Sequence, residues 1–177
     1  MTLTFPATPA EADPVLGPLL NQLQTCVCFT LAEAGRGVCT QCSIVPGDSR
    51  PPADRCDCAC GQGQGQAWVR WVRDQPVNER SDRGGYMRRR CQGWRTLKVV
   101  EVGIYRCVSG PDEQGGPPSV EAREQDALGL ILDRRLLAKA VSCCSALKGR
   151  SVELLSLEPT AVKGGCAGVV MQVSVDI

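Results

Sequence analysis

The feature that most constrains this chain is strict alternation in two apolar segments. In LKVVEVGIYRCV, Val100, Val102, Ile104 and Val108 fall on one face, and in GVVMQVSVDI so do Val169, Met171, Val173, Val175 and Ile177. A period of two belongs to an extended strand, whose successive side chains point to opposite sides. Each strand must bury its apolar face, so the chain has to build a sheet with a second layer packed on it. Ala67, Val69 and Trp71 alternate with Trp68, Arg70 and Val72 and predict a third long strand, while VCTQCSIV and SVELLSL predict two shorter ones.

The second layer is helical. Asp13 precedes Pro14, a cap residue followed by a proline suited to the first helical position. Leu16, Leu20, Leu23, Val27, Leu31 and Ala34 then recur at steps of three and four, and Gly35 is placed to end the helix in a left-handed cap. The spacing predicts a helix from Pro14 to Ala34. After the turn-rich SGPDEQGGPP, Ser119 caps a second and longer helix, with Val120, Ala127, Leu130, Ile131, Leu137, Val141, Cys144 and Leu147 forming one stripe up to Gly149. Helix, short strand, two long strands, long helix and two strands make an α+β domain: an antiparallel or mixed sheet with two helices packed on one face. Residues 13–177 are expected to form this single domain, and residues 1–12, small and proline-containing, a loose arm.

Composition narrows the function. Twenty basic against nineteen acidic residues leave a net charge of +1, unlike a dedicated nucleic-acid or membrane-surface binder. The first residues lack the charged and apolar regions of a signal peptide, and no apolar run approaches bilayer length, so a soluble chain made in the cytoplasm is expected. With no histidine there is no Ser-His-Asp or Cys-His site. GQGQGQ leads into a strand, without the Lys-Ser or Lys-Thr of a phosphate loop. The carboxylates are scattered. No enzyme activity, catalytic residue or cofactor is expected.

Twelve cysteines are unusual for such a chain. Most are expected to be buried small hydrophobes or reduced thiols, with disulfides formed outside the cell and structural zinc as alternatives. Cys39 and Cys42 have the spacing of a zinc-ligand pair, and Cys56, Cys58 and Cys60 follow closely. In an extended backbone those three stand roughly 7 Å apart per step, too spread for one tetrahedral metal. They are zinc candidates of low weight.

The stretch between the two long strands is strongly basic. From Arg70 to Lys98 there are nine basic residues against three acidic ones, with Tyr86 and Trp94 interleaved. Arg80, Arg83, Tyr86, Arg88, Arg89, Arg90 and Trp94 have the composition of a subunit-contacting arm or of a nucleic-acid patch, the former being favoured.

Four segments carry a likeness to a known family: CGQGQGQAWVRWV, LKVVEVGIYRCV, EQDALGLILDRRLLAKAVSCC and GGCAGVVMQVSVDI. They resemble the head-to-tail connection proteins of long-tailed actinobacterial phages, and within that group the tail terminator. The resemblance implies a homo-oligomer, a hexameric ring, that caps the tail tube protein and stops its polymerisation. It further implies that the ring joins the tail to a head-completion or stopper protein while genomic DNA passes through without sequence-specific binding. Such a protein resides in the virion neck, is assembled in the host cytoplasm and has no membrane partner. The Arg-rich loop and the alternating cysteines do not match the family pattern. Because arginines lining a DNA channel would grip phosphate, that loop is expected outside the bore or at a subunit contact. Ring closure needs two complementary surfaces, for which Val169, Met171, Val173 and Val175 of the last strand are further candidates. Another connector component, a stopper or adaptor, is the alternative within the class, and a small cysteine-rich zinc or nucleic-acid-binding module the alternative outside it.

Overall fold

The computed structural model describes residues 13–38, 41–45, 47, 50, 65–76, 96–111 and 114–177. These form helix α1 (Leu16–Glu33), strands β1 (Gln41–Ile44), β2 (Gln66–Pro76) and β3 (Thr96–Cys107), helix α2 (Val120–Ser142), a 3-10 turn (Ser145–Leu147), and strands β4 (Val152–Pro159) and β5 (Cys166–Asp176). The α+β class and the element order are those expected.

The sheet runs β1-β2-β3-β5-β4. β1 lies parallel to β2 and every other neighbouring pair is antiparallel, so the sheet is mixed. β2 and β3 pair from Gln66↔Tyr105 to Pro76↔Thr96, closing around the basic stretch as expected. β5 comes last in the chain but sits between β3 and β4, so that among the described strands β1 and β4 form the two edges.

Alternation sends Ala67, Val69, Val100, Val102, Ile104, Val169, Met171, Val173 and Val175 to one face, where they pack with Leu19, Leu20, Leu23, Val27 and Leu31 of α1 and Leu136, Leu137, Ala140 and Val141 of α2. This is the main core. The opposite face carries a smaller cluster of Trp68, Tyr105, Cys166 and Val170. Trp68 lies across Gly103, its register partner on β3, where a Cβ would stand 2.2 Å from the indole. The Trp68 and Tyr105 rings are 4.6 Å apart at 41°, within the tilted geometry aromatic pairs favour.

Two boundaries and one burial pattern differ from the sequence expectation. α1 begins at Leu16 rather than Pro14, because Pro14 and Val15 form a turn; Asp13 still accepts from the Val15 and Leu16 amides at 2.8 and 2.7 Å. Those two bonds, the Leu16 one foremost, hold its carboxyl below the ordinary value. α2 stops at Ser142 instead of running to Gly149: Cys144 turns to an extended conformation and bonds to Cys26. The stripe expected along α2 is buried only in its second half. Val120, Leu128, Ile131 and Leu132 are exposed, and Asp133 occupies a core position among them.

The C-terminus of α1 matches the sequence reading. Gly35 has φ 67°, its amide reaches Ala32 O at 3.0 Å, and the Arg36 amide reaches Leu31 O at 2.8 Å. That is the paired bonding of a Schellman cap, and it fixes the direction in which Arg36 leaves the helix.

Candidate assembly interface

Against each face of β3 lies a buried carboxylate held by two arginines, Glu101 of the strand itself on one side and Asp133 of α2 on the other. Arg70, Glu101 and Gln172 are aligned across β2, β3 and β5 by register. The Glu101 side chain is inaccessible and receives six hydrogen bonds. Arg70 donates at 2.8 and 3.2 Å and Arg50 at 3.0 and 2.7 Å. Trp68 Nε1 adds one at 3.2 Å and Gln172 Nε2 one at 2.9 Å. Burial pushes the Glu101 carboxyl up, but these donors outweigh it and bring it from 4.5 down to about 2. A carboxylate so engaged holds no proton to transfer near neutrality.

On the helical face, Asp133 of α2 accepts from Arg36 at 2.7 and 2.8 Å and from Arg106 of β3 at 3.1 and 3.3 Å. Arg36 also reaches Gly129 O at 3.2 Å, and Arg106 donates to the carbonyls of Arg36 and Gly37. Gly129 makes room for this approach, since a Cβ there would stand 3.3 Å from the Arg36 guanidinium. One carboxylate thus ties the end of α1, the middle of α2 and the end of β3 together. Both clusters organise the subunit rather than a substrate pocket.

Among the described residues, two groups of exposed apolar side chains stand out. The first is the outer face of α2, where Leu128 and Ile131 are 65% and 62% exposed and Leu132 and Val120 lie nearby on the same helix. Leu128, Ile131 and Leu132 have the i, i+3, i+4 spacing of a helical contact stripe. The second surface is the β4 edge, with Val152, Leu154 and Leu155 exposed. Between β4 and the C-terminal half of α2 runs a groove of about 360 Å³, lined by Ala138, Val141, Leu147, Leu154, Met171 and Val173. A bulge at Leu155 interrupts the β4–β5 register and kinks that edge.

The chain matches no protein-family model and no curated protein.

The residues proposed from sequence fall into three groups. Arg80, Arg83, Tyr86, Arg88, Arg89, Arg90 and Trp94 lie outside the described residues, as do Cys39, Cys56, Cys58, Cys60 and the 1–12 arm. Val169, Met171, Val173 and Val175 belong to the core, each at most 6% exposed on an interior strand. β5 pairs on both sides, so these four side chains pack in the core, and among the described strands the sheet edges are β1 and β4. Of the basic stretch, Arg70 is buried on Glu101 and Lys98 pairs with Asp74 at 2.5 Å, so neither belongs to an open basic patch.

The cysteine expectation is corrected too. Cys26–Cys144 and Cys28–Cys42 are disulfides with Cα separations of 5.7 and 6.0 Å, inside the ordinary range. Cys107 and Cys166 are disulfide-bonded as well. Cys42 is therefore unavailable to zinc, and no metal-binding group of three or more side chains occurs among the described residues. Cys143 is free and exposed while its neighbour Cys144 is buried. No helix among the described residues is long and apolar enough to cross a membrane.

Sequence reasoning missed both carboxylate clusters, although their signals were present. Glu101 interrupts an otherwise apolar strand, Asp133 falls three residues after Leu130 and four before Leu137, and Arg106 continues the Val100, Val102, Ile104 face. Charged residues at core positions demand buried partners of opposite sign.

Proposed function

We propose that the chain is a virion structural protein, a ring-forming tail terminator that caps the tail tube and joins it to the head connector. The observation that carries this reading is the presence of two different open apolar surfaces on one subunit, the α2 face and the β4 edge with its groove. A closed ring is built from heterologous contacts, each joining one patch to a different patch on the next copy. Three further features support it. The sheet with two helices on one face agrees with the fold the resemblance implies. The buried carboxylates are saturated by arginine, which suits a rigid building block. Disulfides persist in particles that leave the reducing cytoplasm, and two bridges join α1 to the rest of the domain.

The deciding experiment is native mass measurement and negative-stain imaging of the purified protein, alone and with tail tubes. Rings that seat on tube ends and halt tube growth are expected. A chain that stays monomeric at all concentrations and leaves tube length unchanged would end the proposal. Rings that bind the head connector but ignore tubes would reassign it to the stopper or adaptor.

A further inference from the structure

The stripe on α2 and the groove beside β4 carry charges of opposite sign at matching places. Along one face of α2, Glu121, Glu124, Leu128, Ile131, Leu132 and Arg135 follow at steps of three and four, all exposed. The face is acidic at its N-terminal end, apolar in the middle and basic beyond. The groove holds about 360 Å³ between Val152 and Leu154 of β4 and Ala138 and Val141 of α2. Residues 147–151 carry the chain from α2 to β4, so Arg150 stands at the end of the groove where the two elements join. Arg150 is the single charge among the described lining residues, and exposed Lys148 lies two residues before it. Its Nε donates to Ala146 O at 3.0 Å, and no carboxylate among the described residues pairs with it.

The spacings agree as well. Along a helix Glu124 stands about 6 Å from Leu128 and about 12 Å from Leu132. Along an extended chain Val152 and Leu154 follow Arg150 at about 7 and 13 Å. A helix laid along β4 with its acidic end at Arg150 therefore sets Leu128 against Val152 and Leu132 against Leu154. The reverse direction would bring Arg135 toward Arg150 and oppose like charges. A chain cannot fill its own groove this way, because Leu128 and Ala138 are held about 15 Å apart on one continuous helix. The occupant comes from another copy.

We propose that the α2 stripe of one copy lies in the β4 groove of the next, with Glu121 and Glu124 toward Arg150. Each copy offers one stripe and one groove, so the contact repeats from copy to copy, as a heterologous interface does. The inference rests on the ring reading above and names the contact that would build the ring.

Mixing two assembly-deficient variants tests it. Ile131→Asp spoils the stripe and keeps the groove, while Leu154→Asp spoils the groove and keeps the stripe; both positions are exposed, so the fold is kept. In native mass measurement each variant alone is expected to stay monomeric, and the equimolar mixture to stop at a complex of one copy of each. Leu128→Asp with Val152→Asp, also at exposed positions, is expected to behave the same way. Arg150→Glu added to the Ile131→Asp chain is expected to weaken the mixed complex at least tenfold, and Glu121→Arg with Glu124→Arg in the Leu154→Asp chain to restore it. A mixture that stays monomeric, either variant pairing with itself, or a charge reversal without effect would overturn the proposal. Rings that cap tubes yet survive both Ile131→Asp and Leu154→Asp would end this contact and leave the terminator reading standing. The mixed complex from a parent that never caps tubes would end the terminator reading and leave the contact standing.

Discussion

Replacing Glu101 by glutamine isolates what a buried charge does in this domain. The substitution keeps shape and one acceptor oxygen but leaves Arg70, with a side chain only 7% exposed, without its counter-charge. Removing one partner of a buried pair costs about 3–5 kcal/mol. A second effect depends on pH. The Glu101 carboxyl titrates at about 2 in the folded chain against an ordinary 4.5. At about 1.36 kcal/mol per pH unit that interval is worth about 3 kcal/mol of folding stability. Because the folded value is the lower one, the contribution is fully present above pH 4.5 and is lost as the pH falls toward 2. Urea unfolding of the parent and Glu101→Gln, without reductant, from pH 7 to pH 2 reads both effects. The gap between the two stabilities is expected to shrink by about 3 kcal/mol across the acid window. Other titrating groups, common to both proteins, cancel in the difference. Parallel curves, with a gap indifferent to pH, would show that the carboxylate is not held by its arginines in solution and would refute the reasoning.

Four other outcomes follow from the geometry. Cys26→Ser with Cys144→Ser opens a bridge of sequence separation 118 and is expected to cost roughly 4–5 kcal/mol in non-reducing urea unfolding, more than the roughly 3 for the Cys28–Cys42 pair of separation 14. Gly103→Ala drives a methyl into Trp68 and is expected to lower stability by about 1–3 kcal/mol, with a changed near-ultraviolet tryptophan signal. Val173→Asp buries a charge at a position 1% exposed and is expected to yield insoluble or unfolded protein by circular dichroism. Ile131→Asp, on the open α2 stripe, is expected to leave unfolding within about 0.5 kcal/mol of the parent while abolishing rings in native mass measurement.

The order of elements was legible because it depends on local pattern. Alternation in residues 97–108 and 168–177 and the three- and four-residue steps of α1 each specify one element and one buried face. The neighbours of β5 were not legible. A strand that is last in the chain can pair at an edge or in the interior, and only burial on both sides of Val173 separates the two. The α2 stripe misled at Val120 and Ile131, which are exposed although Leu130 beside Ile131 packs against the core. The carboxylate clusters depend on contacts between residues as distant as Arg36 and Asp133, which no local window contains. Cysteine pairing has the same non-local character, with Cys26 meeting Cys144.

The placement of charge on both sides of β3 also bears on how the chain avoids misfolding. Glu101 and Arg106 differ by five positions, an odd number, so they project from opposite faces of the strand. A slip of β3 by one residue against its neighbours would exchange the faces, driving Glu101 among the leucines of the helical layer and stranding Arg106 away from Asp133. A purely apolar strand tolerates such a slip with modest loss, since valine replaces valine. Here a one-residue slip strands two ions at once, so β3 works as a key with teeth cut on both edges.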